Sequence, residues 1–153
     1  MERPILVVDD SPADVELLQV ALERCCNQLP VIVIGDGQRA LDYLKCEGEF
    51  SGRGKADPQF VLLDLKMPLM SGLEMLETVR ATAALRFLPI VVLTSSRLES
   101  DVARAYELGA NAFLQKPTSF SELEGDIAKI LSVWGSLNRP PPRFPIGEVL
   151  GAM

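Results

Sequence analysis

Five short apolar runs, four of them ending in a polar residue of distinct chemistry, constrain this chain more than any other feature. Ile5-Leu6-Val7-Val8 runs into Asp9-Asp10, and Phe60-Val61-Leu62-Leu63 runs into Asp64. Ile90-Val91-Val92-Leu93 ends in Thr94, and Asn111-Ala112-Phe113-Leu114-Gln115 ends in Lys116-Pro117. A fifth run, Val31-Ile32-Val33-Ile34, follows Pro30. Near-continuous apolar runs of this length, without polar alternation, fit strands of a sheet covered on both faces.

The segments between the runs read as helices. Ser11-Pro12-Ala13-Asp14 combines an N-cap, a proline at the first helical position and an acidic third residue, which predicts a helix to about Cys26 with Val15, Leu18 and Leu22 on one face. Asp36-Gly37 marks a turn or cap before a short helix carrying Ala40, Leu41 and Leu44. Ser71-Gly72-Leu73-Glu74 is a second capping box, with Leu73, Leu76 and Val79 inward. A fourth helix from about Ser100 stops at Gly109, a C-cap, and a fifth opens at Ser119 or Ser121 and runs to about Trp134-Gly135.

Strands separated by helices imply parallel pairing through right-handed crossovers. The expected fold is therefore α/β: a flavodoxin-like, doubly wound, five-stranded parallel sheet in the order 2-1-3-4-5 with helices on both faces. In that order strands one and three are neighbours whose helices leave on opposite faces. Asp9, Asp10 and Asp64 then surround the crevice at the topological switch point, where such sheets bind ligands. Two segments fall outside the pattern: a Gly-rich polar loop from Glu47 to Pro58, expected to be exposed, and a Pro-rich tail. The domain is expected to span 1–135, and residues 136–153 to be extended or flexible.

Three carboxylates, a hydroxyl and an ammonium at equivalent strand ends describe a site for a divalent metal and a phosphoryl group. Clustered carboxylates repel one another unless a cation sits among them. Mg²⁺ suits such a cluster because it takes one or two carboxylates, keeps several waters and bridges to phosphate oxygens. Asp10 and Asp64 are the expected direct ligands, with Asp9 direct or through water and a backbone carbonyl near Lys66 completing the set. Asp64 is placed as the nucleophile that would form an aspartyl phosphate. Lys116 would pair with one phosphoryl oxygen, and the Thr94 hydroxyl with nearby amides would donate to another.

Composition narrows the partners. A net charge of −6 with no basic stripe argues against nucleic acid and anionic membrane. No apolar run approaches the roughly 18 residues of a membrane span, and the N-terminus lacks a signal-peptide core, so a cytoplasmic protein is expected. Cys25, Cys26 and Cys46 form no metal or disulfide framework and read as reduced thiols. The chain contains no histidine, which excludes a Ser-His-Asp triad and means that any phosphohistidine must come from a partner.

These motifs resemble those of response-regulator receiver domains of two-component signalling, of the chemotaxis-regulator type. The resemblance covers about Arg3 to Trp134 and rests on Val7-Val8-Asp9-Asp10-Ser11-Pro12, Leu63-Asp64-Leu65-Lys66-Met67-Pro68, Leu93-Thr94-Ser95-Ser96 and Phe113-Leu114-Gln115-Lys116-Pro117. It implies phosphorylation of Asp64 by a partner histidine kinase, a cis Lys116-Pro117 bond, and a switch made of Thr94 and Phe113. In that switch the phosphoryl group draws the Thr94 hydroxyl inward, the ring at position 113 turns, and the face of the fourth helix, fifth strand and fifth helix changes shape. Phe113 stands in place of the frequent tyrosine. Lys66 stands where many relatives have Asn, a departure that bears on the lifetime of the phosphate.

The Pro12-Ala13-Asp14-Val15 opening, the Glu47 to Pro58 loop and the Trp134 ending further resemble the standalone regulators paired with bacterial phytochrome kinases. That resemblance implies a homodimer through the switch face. Such a protein is no enzyme in the usual sense, being a phosphoacceptor that assists its own phosphorylation and dephosphorylation.

Three rival functions meet the same residues. A haloacid-dehalogenase-type phosphatase wants a second acid two residues after its nucleophile, where this chain has Lys66. A flavin binder of the same topology wants a hydroxyl- and glycine-rich loop after the first strand, where this chain has two carboxylates. A receiver-like module that binds partners without phosphorylation has no need of Asp64, Thr94 and Lys116 together.

Overall fold

Alternate residues of the central strands project to opposite sides of one sheet, and this period of two divides the core. The computed structural model describes residues 2–53 and 57–142. Its elements run β1 (Ile5–Val8), α1 (Pro12–Arg24), β2 (Val31–Ile34), α2 (Gly37–Lys45), β3 (Phe60–Leu63), α3 (Gly72–Ala81), β4 (Ile90–Thr94), α4 (Glu99–Glu107), β5 (Ala112–Gln115) and α5 (Phe120–Ile130). The strands form a five-stranded sheet in the order β2-β1-β3-β4-β5, every pair parallel, as the alternation of runs and helices predicts.

Leu6, Val8, Val61, Leu63 and Ile90 pack with Ala40, Leu41 and Leu44 of α2 and Met75, Leu76 and Val79 of α3. Ile5, Val7, Phe60, Leu62, Val91 and Leu93 meet Leu18, Ala21 and Leu22 of α1 and Leu123, Ile127 and Ile130 of α5 on the other side. A smaller cluster of Leu65, Val92 and Ala105 seats α4, with Phe113 half-buried against it. Each large side chain taken fully out of water contributes about 1.5–3 kcal/mol, so the two main layers dominate the stability of the fold.

Four helices begin as the sequence reads. Ser11 Oγ accepts from the Asp14 amide at 3.3 Å, Ser71 Oγ from Glu74 at 3.2 Å, and Ser119 Oγ from Glu122 at 3.1 Å. The Asp36 carboxylate accepts from Arg39 N at 3.0 Å. Each bond satisfies an amide that the helix itself leaves unpaired. No helix among the described residues is long and apolar enough to cross a membrane.

The structure corrects four expectations. The Lys116-Pro117 bond is trans, as is every peptide bond among the described residues. Trans is favoured by about 0.5–1 kcal/mol at X-Pro bonds, and the lysine reaches its carboxylate partners without the rarer isomer. Helix α1 ends at Arg24, because Cys26 turns to a left-handed φ of 56°. Helical winding continues past Gly135 as a π-type stretch over Leu131–Leu137. The remaining tail, 143–153, lies outside the described residues, as do residues 54–56 of the Glu47 to Pro58 loop.

That loop is not simply an exposed excursion. Gly48–Phe50 forms a 3₁₀ turn, Phe50 lies edge-on to Tyr43, and the Arg53 guanidinium stacks over the Tyr43 ring at 4.1 Å. Arg53 also donates to the carbonyl oxygens of Tyr43 and Leu44, and Asp57 is buried. Arg3 donates to the carbonyl oxygens of Asp57 and Pro58, tying the loop's end to the N-terminus.

A guanidinium also locks the edge of the sheet away from the strand C-terminal ends. Arg80 of α3 donates to the carbonyl oxygens of Gly109, Arg86 and Leu88 and to Asn111 Oδ1, at 2.7–3.0 Å. Asn111 Oδ1 in turn accepts from the Ile90 amide at 2.7 Å, where β4 begins. Gly109 has φ +100°, and a Cβ there would come within 2.8 Å of Arg80 Nε. Arg80→Ala is expected to cost about 2–3 kcal/mol, because partly buried acceptors lose a charged donor. Urea denaturation measures it, and Arg80→Lys should recover less than half, since an ammonium cannot span the same fork.

Candidate functional site

The strand register delivers the functional side chains to one level. Val8 pairs with Leu63 across β1 and β3, so Asp9 and Asp64 leave the sheet side by side, and the Asp64 amide donates to Val8 O at 2.9 Å. Thr94 closes β4, fully buried, and the Lys116 amide donates to its carbonyl oxygen at 2.7 Å. Asp9 and Asp64 are buried and Asp10 is exposed. The structure therefore brings Asp9, Asp10, Asp64, Thr94 and Lys116 to the same end of the sheet.

The Lys116 ammonium is the hub. Its Nζ lies 2.7 Å from Asp9 Oδ2, 2.9 Å from Asp14 Oδ2 and 3.2 Å from Asp64 Oδ2. An ammonium has three N–H donors, and here three carboxylates occupy them. Burial works to lower the Lys116 pKa, but the bonds to Asp9 and Asp14 and the charges of Asp64 and Asp9 hold it above the ordinary lysine value. Burial pushes the Asp9 carboxyl up, outweighing its bonds to Lys116 and the Ser11 amide, and the neighbouring Asp64 charge adds to the rise.

Asp14 is the functional neighbour that the sequence reading missed. As the third residue of α1 it reads as a first-turn acid, and its amide does complete the Ser11 cap. Its carboxylate points instead to Lys116. The available signal is the short Asp9-to-Pro12 link, which places the first turn of α1 over the crevice that receives Asp9.

Asp9, Asp10 and Asp64 each offer a carboxylate oxygen, and these oxygens lie within 4.8 Å of one another. Hard oxygen donors this close suit a hard divalent cation. The Lys66 amide faces Asp64 Oδ1 at 3.5 Å, and its side chain is exposed. Gly72 allows α3 to start directly against the crevice: a Cβ there would lie 2.2 Å from Asp64 O and 2.8 Å from Leu65 Cα. Its amide donates to Leu65 O at 2.9 Å, which fixes the backbone that carries Asp64. Leu69, in the same connection, holds a left-handed φ of 66° and is 95% exposed. Phe113 is half-buried on β5, level with Val92.

The crowding of charge has opposite consequences for stability and for metal binding. Asp10→Asn relieves repulsion between carboxylates and should stabilise the metal-free protein by about 1 kcal/mol, or about 4 °C in melting temperature. It should also weaken the binding of a divalent cation at least about tenfold, measured by calorimetric titration, because one charged oxygen donor is lost. A raised folded-state pKa means that ionising Asp9 disfavours the folded state. Its contribution to metal-free stability therefore grows as pH falls through that raised value, while metal binding, which competes with the proton, weakens over the same window.

Comparison with known proteins gives this geometry a family. The family model for the response regulator receiver domain matches residues 5–128. Response regulator Rcp1 of Synechocystis is 35% identical over 132 residues, covering 86% of this chain and 88% of that protein. The Mn²⁺-bound structure of Rcp1 superposes with a TM-score of 0.82, at 34% identity over 91% of this chain and 99% of that one. The phosphorylated cyanobacterial phytochrome response regulator RcpA gives a TM-score of 0.85 at 32% identity, covering 92% and 99% of the two chains. The bacteriophytochrome response regulator RtBRR is 49% identical, with a TM-score of 0.75 over 93% of this chain and 86% of that one. The chain, with its acidic cluster able to take a divalent metal, belongs to the response-regulator receiver family.

Proposed function

We propose that this protein is a response regulator that accepts a phosphoryl group from a partner histidine kinase onto Asp64, with Mg²⁺, in a bacterial phytochrome light-signalling pathway. The observation that carries the reading is the convergence of Lys116 Nζ on Asp64 at 3.2 Å, beside an oxygen cluster of metal-binding spacing. The similarity to RcpA, Rcp1 and RtBRR supports the phytochrome assignment.

In this reading an Asp64 carboxylate oxygen attacks the phosphorus of a phosphohistidine protonated on its other ring nitrogen. The O–P bond forms as the P–N bond breaks, and the electron pair of that bond stays on the imidazole, which leaves neutral with the proton it already carried. The partner must supply the histidine, since this chain has none. Asp9, Asp10 and Asp64, with the Lys66 carbonyl, would hold the metal ion, which when bound supplies positive charge to the transferring group. Lys116 supplies a second positive charge. Its three donors are already engaged, so a phosphoryl oxygen must replace a carboxylate as its partner, and conversion of the Asp64 carboxylate into an acyl phosphate removes the one held most loosely. The buried Thr94 hydroxyl then donates to a phosphoryl oxygen, and the half-buried Phe113 ring moves into the space released.

The output is read from the face made by α4, β5 and α5. At the N-cap and in the last turn of α4, Leu98 and Tyr106 are 58% and 50% exposed, which supports the use of this helix in a homodimer contact. Neither nucleic acid nor membrane is a partner in this reading, and the site lies in the cytoplasm with its kinase. The domain is taken to end with the helical stretch at Leu137 rather than at 135, with the Pro-rich segment after it as a tail.

Intact mass after incubation with Mg²⁺ and acetyl phosphate tests the chemistry. The wild type should gain about 80 Da, one phosphoryl group, and Asp64→Asn should gain nothing. Sedimentation of the same samples should show the dimer fraction rising with phosphorylation. Failure to form an adduct under any donor or metal condition would leave a receiver-like binding module, and release of phosphate from unrelated monoesters would favour a phosphatase.

A further inference from the structure

Helix α4 begins differently from the other four helices. Each of those has a Ser or Asp side chain at its N-cap accepting from the helix's third amide, whereas Leu98 at the N-cap of α4 offers none. Ser96, two residues earlier, takes over the task. Its Oγ accepts from the Leu98 amide at 3.3 Å and donates to the Asp101 carboxylate in the first turn of α4. Ser96 is only 3% exposed, so little water competes for these bonds. Its own amide donates to Thr94 Oγ1 at 3.4 Å.

A continuous chain therefore links the Thr94 hydroxyl, the Ser96 amide, the Ser96 hydroxyl and the Asp101 carboxylate. Helix α4 has few other anchors. Of its nine residues only Ala105 is fully buried, and a helix of that length is marginal without tertiary support.

We infer that Ser96 and Asp101 are positioning residues that couple the Thr94 hydroxyl to the first turn of α4. The inference rests on the reading of Asp64 as phosphoacceptor. Rotation of Thr94 to donate to a phosphoryl oxygen carries Oγ1 away from the Ser96 amide. A buried amide without an acceptor is costly, so the Ser96 backbone follows. Its hydroxyl then leaves Leu98 and Asp101, and the first turn of α4 loosens on the face that carries Leu98. The coupling is reciprocal: cutting the chain at Asp101 removes a bond that favours the resting arrangement, so Asp64 takes the phosphoryl group more readily.

The test compares wild type with Asp101→Ala, and with Asp101→Asn as the milder variant should the first lose its fold. Intact mass gives the rate of phosphorylation by acetyl phosphate, and hydrogen exchange gives the protection of α4 before and after. Asp101→Ala is expected to react at least about fivefold faster, the low end of ordinary coupling between sites. The first turn of its unphosphorylated α4 should exchange as it does in the phosphorylated wild type, with little further change on phosphorylation. A merely structural role would raise exchange equally in both states and leave the rate unchanged, and that result in both variants overturns the coupling alone. A wild type that forms no adduct overturns the phosphoacceptor reading and the coupling together.

Discussion

A single ammonium shared among three carboxylates is the interaction on which the arrangement of this site depends. Lys116 meets Asp9, Asp14 and Asp64 within 2.7–3.2 Å, and it does so because β5 is held to the end of β4 by the bond from its own amide to Thr94 O. Moving β5 by one residue would turn the lysine to the other face of the sheet and leave the carboxylates facing one another. Buried ion clusters of this kind are weak contributors to stability, since desolvation consumes most of the attraction. The stability comes from the layers of apolar side chains on both faces of the sheet, which hold mutually repelling charges in place.

That division explains why the carboxylates sit at strand ends. A strand buried on both faces has little freedom, so the residue that follows it inherits a fixed position. Asp64 is held from two further sides, by its amide bond to Val8 O and by the close approach of Gly72. Phosphoryl transfer depends mainly on positioning and on charges already in place before the reaction. In the proposed reading the sheet supplies the first, and Lys116 with the acidic cluster supplies the second.

The sequence carried the parts of this site that follow strictly from strand ends. Asp9, Asp10, Asp64, Thr94 and Lys116 each adjoin an apolar run, so the topology alone gathers them. Asp14 escaped because one residue fills two positions: its amide completes a helix cap, which the sequence displays, while its carboxylate crosses to a lysine 102 positions away, which it does not. The Glu47 to Pro58 loop escaped for a related reason. Its glycines and charges read as solvated, yet Arg53 lays its guanidinium on Tyr43, an attachment set by the preceding helix rather than by the loop's composition. The isomer at Pro117 came from the family pattern, and the structure has a trans bond there, with Lys116 still in contact with its three carboxylates.

The same contrast between fixed and loosely held elements separates chemistry from response. β1, β3 and β4 are buried along their length and support Asp9, Asp64 and Thr94. α4 rests on one fully buried alanine and on a cap borrowed from the loop that follows β4. Elements with few apolar anchors open at low free energy, while those in the core open only when the whole domain does. A change of one hydroxyl's partner is too small to deform the sheet, but it is comparable to what holds the first turn of α4. In the proposed reading, the response to phosphorylation of Asp64 is directed into α4 by the unequal burial of the elements around it.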